Sequence, residues 1–282
     1  MITRKRGYLQ ILPADGAPPE TAQLERDGFA LVKGLLNPGE VDELSEDLLR
    51  LYGELPPDQR NSRISEGHAE PFRYETLNRS ALAQRTIAHS RLLSIVEPLL
   101  GEDCHVIANT TWRQPPDESA HGGRFWHLDA GPHIPRSVGV PWDDRIPYPI
   151  FAIAAQILLM DCPLAAGPTG VIPGSHRSGQ APPADRRDDE TLTWNGVSPV
   201  VLEAKAGDVQ LFVSDIWHRR MPSRAGDPGR FFLQVHYGRR DIAQRIRGTA
   251  AVNHLSPEAI ARAIEPRERT IVGLHGLGFY DG

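Results

Sequence analysis

Apolar and polar positions alternate with two different periods along this chain. In PGEVDELSEDLLRLYGEL, Val41, Leu44, Leu48 and Leu51 recur at helical spacing, which predicts one buried stripe. Asn37 can cap that helix, Pro38 suits its first position and Glu40 completes an N-x-x-E box, while the preceding GFALV reads as a strand feeding it. A second helical region is expected from Ser80 to Leu100, with Ser90 as a cap inside it and Gly101 as its stop. From about His105 the period shortens to two: HVIANTTWR, RFWHLD, FAIAAQILLMD, VVLEA, DVQLFVS and RFFLQVHY are short β-rich runs separated by Gly and Pro. Such spacing favours a sandwich or closed barrel over a parallel α/β sheet, with the helices as scaffold. Two long loops interrupt it, Ala130 to Tyr148 and the charged, proline-rich Ser178 to Glu190, and a short helix is expected from about Ser256 before a glycine-rich tail.

Composition narrows the classes. With 282 residues and 40% hydrophobic content the chain can bury a full core, and one domain over residues 1–282 is expected because all-β barrels reach this size as single units. A net charge of -5 and a pI near 6.1 give no reason to expect nucleic acid or an anionic membrane as partner. The basic start MITRKRG lacks the apolar core of a signal peptide, so a cytoplasmic protein is expected. The longest apolar run, Ile150 to Met160, is too short to span a bilayer, is broken by Gln156, and reads as a buried strand. Cys104 and Cys162 have no metal-ligand spacing and read as buried thiols.

The chemistry starts at FWHLDAG. In an extended run His127 and Asp129 point to one side and Leu128 to the other, so an imidazole and a carboxylate share one patch. A structural hydrogen bond explains such a pair; so does a cation held between them. A second histidine from elsewhere would complete the two-His-one-carboxylate facial triad, which leaves three coordination positions of an Fe(II) ion open. His218, just past the strand predicted to end near Val213, is placed to do so. Arg230 then heads the apolar strand FFLQVHY, a costly position unless a fixed anion pairs with it. That anion is either an internal carboxylate or an anionic cosubstrate.

Taken in order, these parts resemble the phytanoyl-CoA dioxygenase family of Fe(II)- and 2-oxoglutarate-dependent oxygenases. The likeness rests on RDGFALVKGLLNPGEVDEL, WHLDAG, GPTGVIPGSH, GDVQLF followed by WH, and R-x5-H-Y from Arg230 to Tyr237, spanning roughly residues 22 to 240 and leaving 241–282 as an extension. The resemblance implies a double-stranded β-helix, a jelly-roll or cupin-like barrel with N-terminal and peripheral helices. It implies His127, Asp129 and His218 as iron ligands, Arg230 as partner of the distal carboxylate of 2-oxoglutarate, and Gln114 as a further cosubstrate contact. Fe(II), 2-oxoglutarate and O2 are the implied cofactor and cosubstrates. Members that transfer halide carry a small residue in place of the acid, so Asp129 favours hydroxylation, desaturation or ring formation. The resemblance implies a small-molecule primary substrate, of secondary or specialised metabolism.

Around these residues further expectations stand. Trp126, opposite His127, belongs to the core. His133, Arg136, Arg219 and Arg220 either reach the cavity or belong to solvated loops, and His236, on the face of Arg230, can support the site from behind. His121 serves a turn and His176 a loop hydrogen bond. Because the loop between His218 and Arg230 is one residue longer than the family pattern, Arg224 is an alternative carboxylate partner. Two other functions fit parts of the pattern: a jelly-roll protein that binds a metal or metabolite without turnover, and a zinc hydrolase, which lacks a motif for a dedicated general base. Oligomeric state is not written in the sequence.

Overall fold

In the computed structural model, which describes residues 16–54, 72–74, 76–129, 131–242 and 255–274, the two periods become two layers. Helix α1 (Pro19–Asp27) ends at Gly28, whose φ of 82° turns the chain into strand β1 (Phe29–Val32). Helix α2 (Pro38–Glu54) opens with the expected box. The Glu40 N–H donates to Asn37 Oδ1 at 3.1 Å, and the Asn37 N–H donates to Glu40 Oε2 at 2.8 Å. Its buried residues are Val41, Leu44, Leu48 and Leu51. After β2 (Phe72–Tyr74) and α3 (Thr76–Arg79), the single helical region of the sequence reading is two helices, α4 (Ala81–Ile87) and α5 (Ser90–Leu100). Ser80 caps the first, and Gly101 ends the second. The cap of α5 is His89 rather than Ser90: its Nδ1 accepts the Arg91 N–H at 3.2 Å, and Ser90 is already helical.

The β-rich half supplies β3 (His105–Gln114), β4 (Ala152–Leu158), β5 (Thr169–Val171), β6 (Val200–Val201), β7 (Val209–Val213), β8 (His218–Arg220) and β9 (Arg230–Gly238). They form two antiparallel sheets, six strands in the order β1-β7-β4-β9-β3-β2 and three in the order β6-β5-β8. This is the double-stranded β-helix with peripheral helices that the resemblance implies. Helices α6 (Pro257–Arg262), capped by Ser256, and α7 (Pro266–Ile271) complete the described chain. No helix among the described residues is long and apolar enough to cross a membrane. The expectations for the basic N-terminus and the glycine-rich tail lie outside the described residues.

One expected strand is absent. RFWHLD pairs only through an isolated bridge: Arg124 N–H and His127 N–H both donate to β8, to Arg220 O and His218 O, but one residue out of register with each other, and Trp126 N–H donates to Arg187 O instead. No ladder develops. His218 follows the end of β7 at Val213, as expected, and opens a short strand of its own.

The large sheet is buried on both faces, with opposite chemistry. Its outer face carries Phe231, Leu233, Val235 and Tyr237 against the helical layer, where Leu44, Leu48, Ile87 and Leu92 complete the core. The Tyr237 hydroxyl donates to Ile87 O at 2.7 Å. Its inner face carries Arg230, Phe232, Gln234 and His236 on β9, level with Gln114, Trp112, Thr110 and Ala108 on β3. This explains why Ile150 to Met160 is apolar almost throughout, and why Gln156, on the inner face opposite Gln234, is the exception. Stability therefore rests on the outer face. Leu48→Ala, at a fully buried position, is expected to cost about 2–5 kcal/mol, read as a lower denaturant midpoint with an unchanged slope.

Candidate metal centre

An isolated bridge from His127 to His218 on β8, the edge of the three-stranded sheet, brings the expected residues together. His127 and His218 exchange both backbone hydrogen bonds, 2.9 and 3.1 Å, and their rings stand 4.3 Å apart. Each imidazole donates or shares its Nδ1 with the carbonyl two residues earlier, His127 with Phe125 O and His218 with Ile216 O, both at 3.0 Å. With Nδ1 bound to a carbonyl acceptor, Nδ1 carries the proton and Nε2 keeps its lone pair. Asp129 follows on the same side, as alternation requires. Its Oδ1 lies 3.3 Å from His218 Nε2 and 3.9 Å from His127 Nε2.

One donor atom from each of the three lies within 4.8 Å of the others. Adjacent ligands of one metal ion, each about 2.1 Å from it, stand about 3 Å apart, so a small contraction would seat a divalent ion on this face. The donor set, two nitrogens and one oxygen, suits Fe(II) and leaves the opposite coordination face free. The electrostatics set a neutral imidazole and an ionised carboxylate on this face, with His218 paired to the carboxylate. Burial, then the neighbouring His218, pushes His127 down to about 4, so it is neutral at ordinary pH. Burial pushes the Asp129 carboxyl up, but His218 and His236 outweigh it and hold the group well below its usual range. Burial lowers His218 while Asp129 raises it further, leaving it above the ordinary value.

Behind the carboxylate stands His236, whose Nε2 lies 2.9 Å from Asp129 Oδ2. Its place on the inner face was legible from alternation with Arg230, and its contact fixes the free oxygen of Asp129. His236→Ala is therefore expected to weaken metal binding by about 10- to 100-fold while leaving all three donors present. His236→Gln should restore part of it, measured by competition with a metal-sensitive dye.

The sheet register extends the site away from the triad. His236 is level with Ala154, and one repeat along, about 7 Å, Gln234 is level with Gln156. Gln156 accepts from Thr169 Oγ1 at 2.9 Å, and Thr169 Oγ1 lies 3.4 Å from Arg230 Nη2. The Arg230 guanidinium, only 3% exposed, thus ends one short span from the metal position. It donates to Gly167 O at 3.2 Å, its Nε is buried without a partner, and burial lowers its pKa. Arg220 enters the same place from β8, on the side of His218, and is pushed down to about 9 by burial and then by Arg230. Among the described residues Asp227 is the carboxylate against this pair, 3.4 Å from Arg220 Nη2. Two guanidiniums sharing one carboxylate leave a surplus positive charge, which a bound anion would balance. Gln114, level with Arg230, accepts from Arg220 Nη1 through Oε1.

Other candidates sort by their contacts. Trp126 is fully buried with Ile172, Leu192 and Trp217. Arg219 spends its donors on Asp188 O and Gly122 O over the Trp126 ring, and Arg224 is exposed. His121 accepts the Gly123 N–H in a turn, and His176 is buried against Glu25 O. Arg136 lies over the Trp142 ring and donates to Arg177 O. His133, stacked on Phe151, is held through Nδ1 by Asp215, which also accepts the Tyr148 hydroxyl at 3.0 Å. Sequence reasoning missed Asp215, whose partners are 67 and 82 positions away and leave no local signal.

Comparison with known proteins places the chain in a family and its fold among solved structures. The sequence model of the phytanoyl-CoA dioxygenase (PhyH) family matches residues 24–228. Ectoine dioxygenase of Nocardia farcinica is 25% identical over 221 residues, covering 71% of this chain and 70% of that protein. Among solved structures, EctD from S. alaskensis in its apoform aligns with a TM-score of 0.61 at 20% identity, covering 90% of this chain and 93% of that one. HygX from Streptomyces hygroscopicus, with nickel and 2-oxoglutarate bound, aligns at 0.56 and 20% identity, covering 83% and 95%. The α-ketoglutarate-dependent epimerase SnoN from nogalamycin biosynthesis aligns at 0.59 and 21%, covering 84% and 92%. At these identities the structural likeness speaks to the fold.

Proposed function

We propose, proceeding from the fact that this chain belongs to the phytanoyl-CoA dioxygenase family, that it uses Fe(II) held by His127, Asp129 and His218, and 2-oxoglutarate anchored by Arg230, to oxidise a C–H bond of a small metabolite. The observation that carries the reading is the pairing of an open two-His-one-Asp face with a buried cation surplus one short span away. A binder of metal alone has no use for the second part.

When bound, the ion and the keto acid supply the oxidising chemistry, in which O2 is consumed and 2-oxoglutarate leaves as succinate and CO2. The chain's own residues do the rest. His127 and His218 present fixed lone pairs, since their other nitrogens are occupied by carbonyls. Asp129 lowers the charge of the site by one and is kept in orientation by His236. Arg230 holds the distal carboxylate, so the keto-acid end is delivered to the metal face in one register. The polar inner wall tolerates that dianion, while the helices outside exclude water from the back of the sheet. Relatives named for ectoine and for nogalamycin biosynthesis support a small-molecule substrate and admit more than one outcome of C–H oxidation.

An anaerobic titration tests this. Fe(II) and 2-oxoglutarate added to metal-free protein should give the weak visible charge-transfer colour of a chelated keto acid, and air should then release succinate. Tight zinc binding without colour would support a hydrolase instead. Colour without succinate across a broad metabolite screen would support a non-catalytic binder.

A further inference from the structure

We infer that Arg220 is a positioning residue that turns the Gln114 carboxamide so that its N–H2, not its oxygen, faces the cosubstrate's distal carboxylate. This deepens the 2-oxoglutarate reading and rests on it. The starting point is a bond between two inward side chains 106 positions apart in sequence. Arg220 Nη1 donates to Gln114 Oε1. An amide oxygen and an amide nitrogen have nearly the same shape, so the hydrogen-bond network decides which way the group turns. Arginine only donates, so the end of Gln114 it touches must be the oxygen. The two N–H donors then point away from Arg220, whose bond to Oε1 is the side-chain hydrogen bond that Gln114 makes among the described residues.

Arg220 itself is locked. Its Nη2 donates to Ala166 O at 3.0 Å and reaches Asp227 Oδ2 at 3.4 Å, while Nε reaches Gly167 O at 3.4 Å. Gly167 O also accepts from Arg230 Nη1, so the two guanidiniums are joined through one carbonyl. A locked arginine with most donors spent is a poor direct anion clamp and a good template for its neighbour. Gln114 is level with Arg230 across β3 and β9. A second observation also points to a ligand. Arg230 Nε and Trp112 Nε1, which lies on the same inner face with its ring 6.0 Å from the Arg230 guanidinium, are both buried donors without partners. Unpaired buried donors are costly, and a carboxylate placed among them would satisfy them. The structure thus assigns Gln114 as a donor beside Arg230, with Arg220 fixing its sense.

The test separates the two ends of the cosubstrate. Protein loaded with Mn(II) under anaerobic conditions is titrated calorimetrically with 2-oxoglutarate and with 2-oxopentanoate, which has the same chelating end but a methyl in place of the distal carboxylate. Gln114→Ala and Arg220→Met should each lose about 10-fold in 2-oxoglutarate affinity, the scale of one charge-assisted hydrogen bond. The double variant should lose no more than either single one, and 2-oxopentanoate binding should stay unchanged throughout. Because Arg220→Met also strips Asp227 and can upset folding, Gln114→Glu is the companion. It keeps and strengthens the Arg220 contact, has no N–H to offer, and should lose at least as much 2-oxoglutarate affinity as Gln114→Ala. Additive losses would make Arg220 a direct clamp and overturn the inference, as would wild-type affinity in Gln114→Glu. A wild-type protein with no preference for 2-oxoglutarate over 2-oxopentanoate would instead remove the cosubstrate reading beneath it.

Discussion

Asp129→Ala is expected to reduce Fe(II)-dependent succinate formation to background and to weaken iron binding by more than about 100-fold, beyond what loss of a supporting residue behind a ligand costs. Asp129 is the anionic member of the triad, and two neutral imidazoles alone would leave the full dipositive charge of the ion uncompensated. The substitution also strips His236 of its partner and removes the group that raises His218. Asp129→Asn separates the contributions, since it keeps the shape and loses the charge. Both quantities are measurable on one preparation, metal affinity by competition and succinate by coupled assay. Iron affinity and turnover at wild-type level in Asp129→Ala would remove the triad from the reaction.

Arg230→Ala should raise the 2-oxoglutarate requirement by about two to three orders of magnitude, the range for truncating one side of a buried, hydrogen-bonded charge pair. Metal binding in the absence of cosubstrate should change little. Arg230→Lys should recover only part of the loss, because an ammonium cannot reproduce the planar fork between Gly167 O and Thr169. Arg224→Ala is the control: with that side chain exposed, its 2-oxoglutarate requirement should match the wild type. A normal requirement in Arg230→Ala, with Arg224→Ala impaired, would reverse the assignment.

How much of this was legible in the chain depends on how local each signal is. The α2 stripe and its Asn37–Glu40 box are set by neighbours three or four residues away, and both formed as read. His127 and Asp129 share a side because extended backbone alternates, which holds even though RFWHLD never becomes a strand. That strand failed because its bonds to β8 slip register between Arg124 and His127 and Trp126 turns to Arg187, information absent from its own residues. Ser90 looked like the better cap, but the helix starts at it, and His89 supplies the acceptor. Arg220 shows the limit most clearly. The sequence left it either reaching the cavity or in a solvated loop, and nothing within the RRM stretch tells that its partners are Gln114, Ala166 and Asp227.

The division of labour across the six-stranded sheet has an evolutionary corollary. Odd positions of β9 answer to the helices, even positions to whatever occupies the barrel, and the two sets interleave along one ribbon. At the even positions other than Phe232, which packs on Trp112, selection can act without loosening the scaffold. Such a vessel can acquire a new guest while its foundations stay untouched.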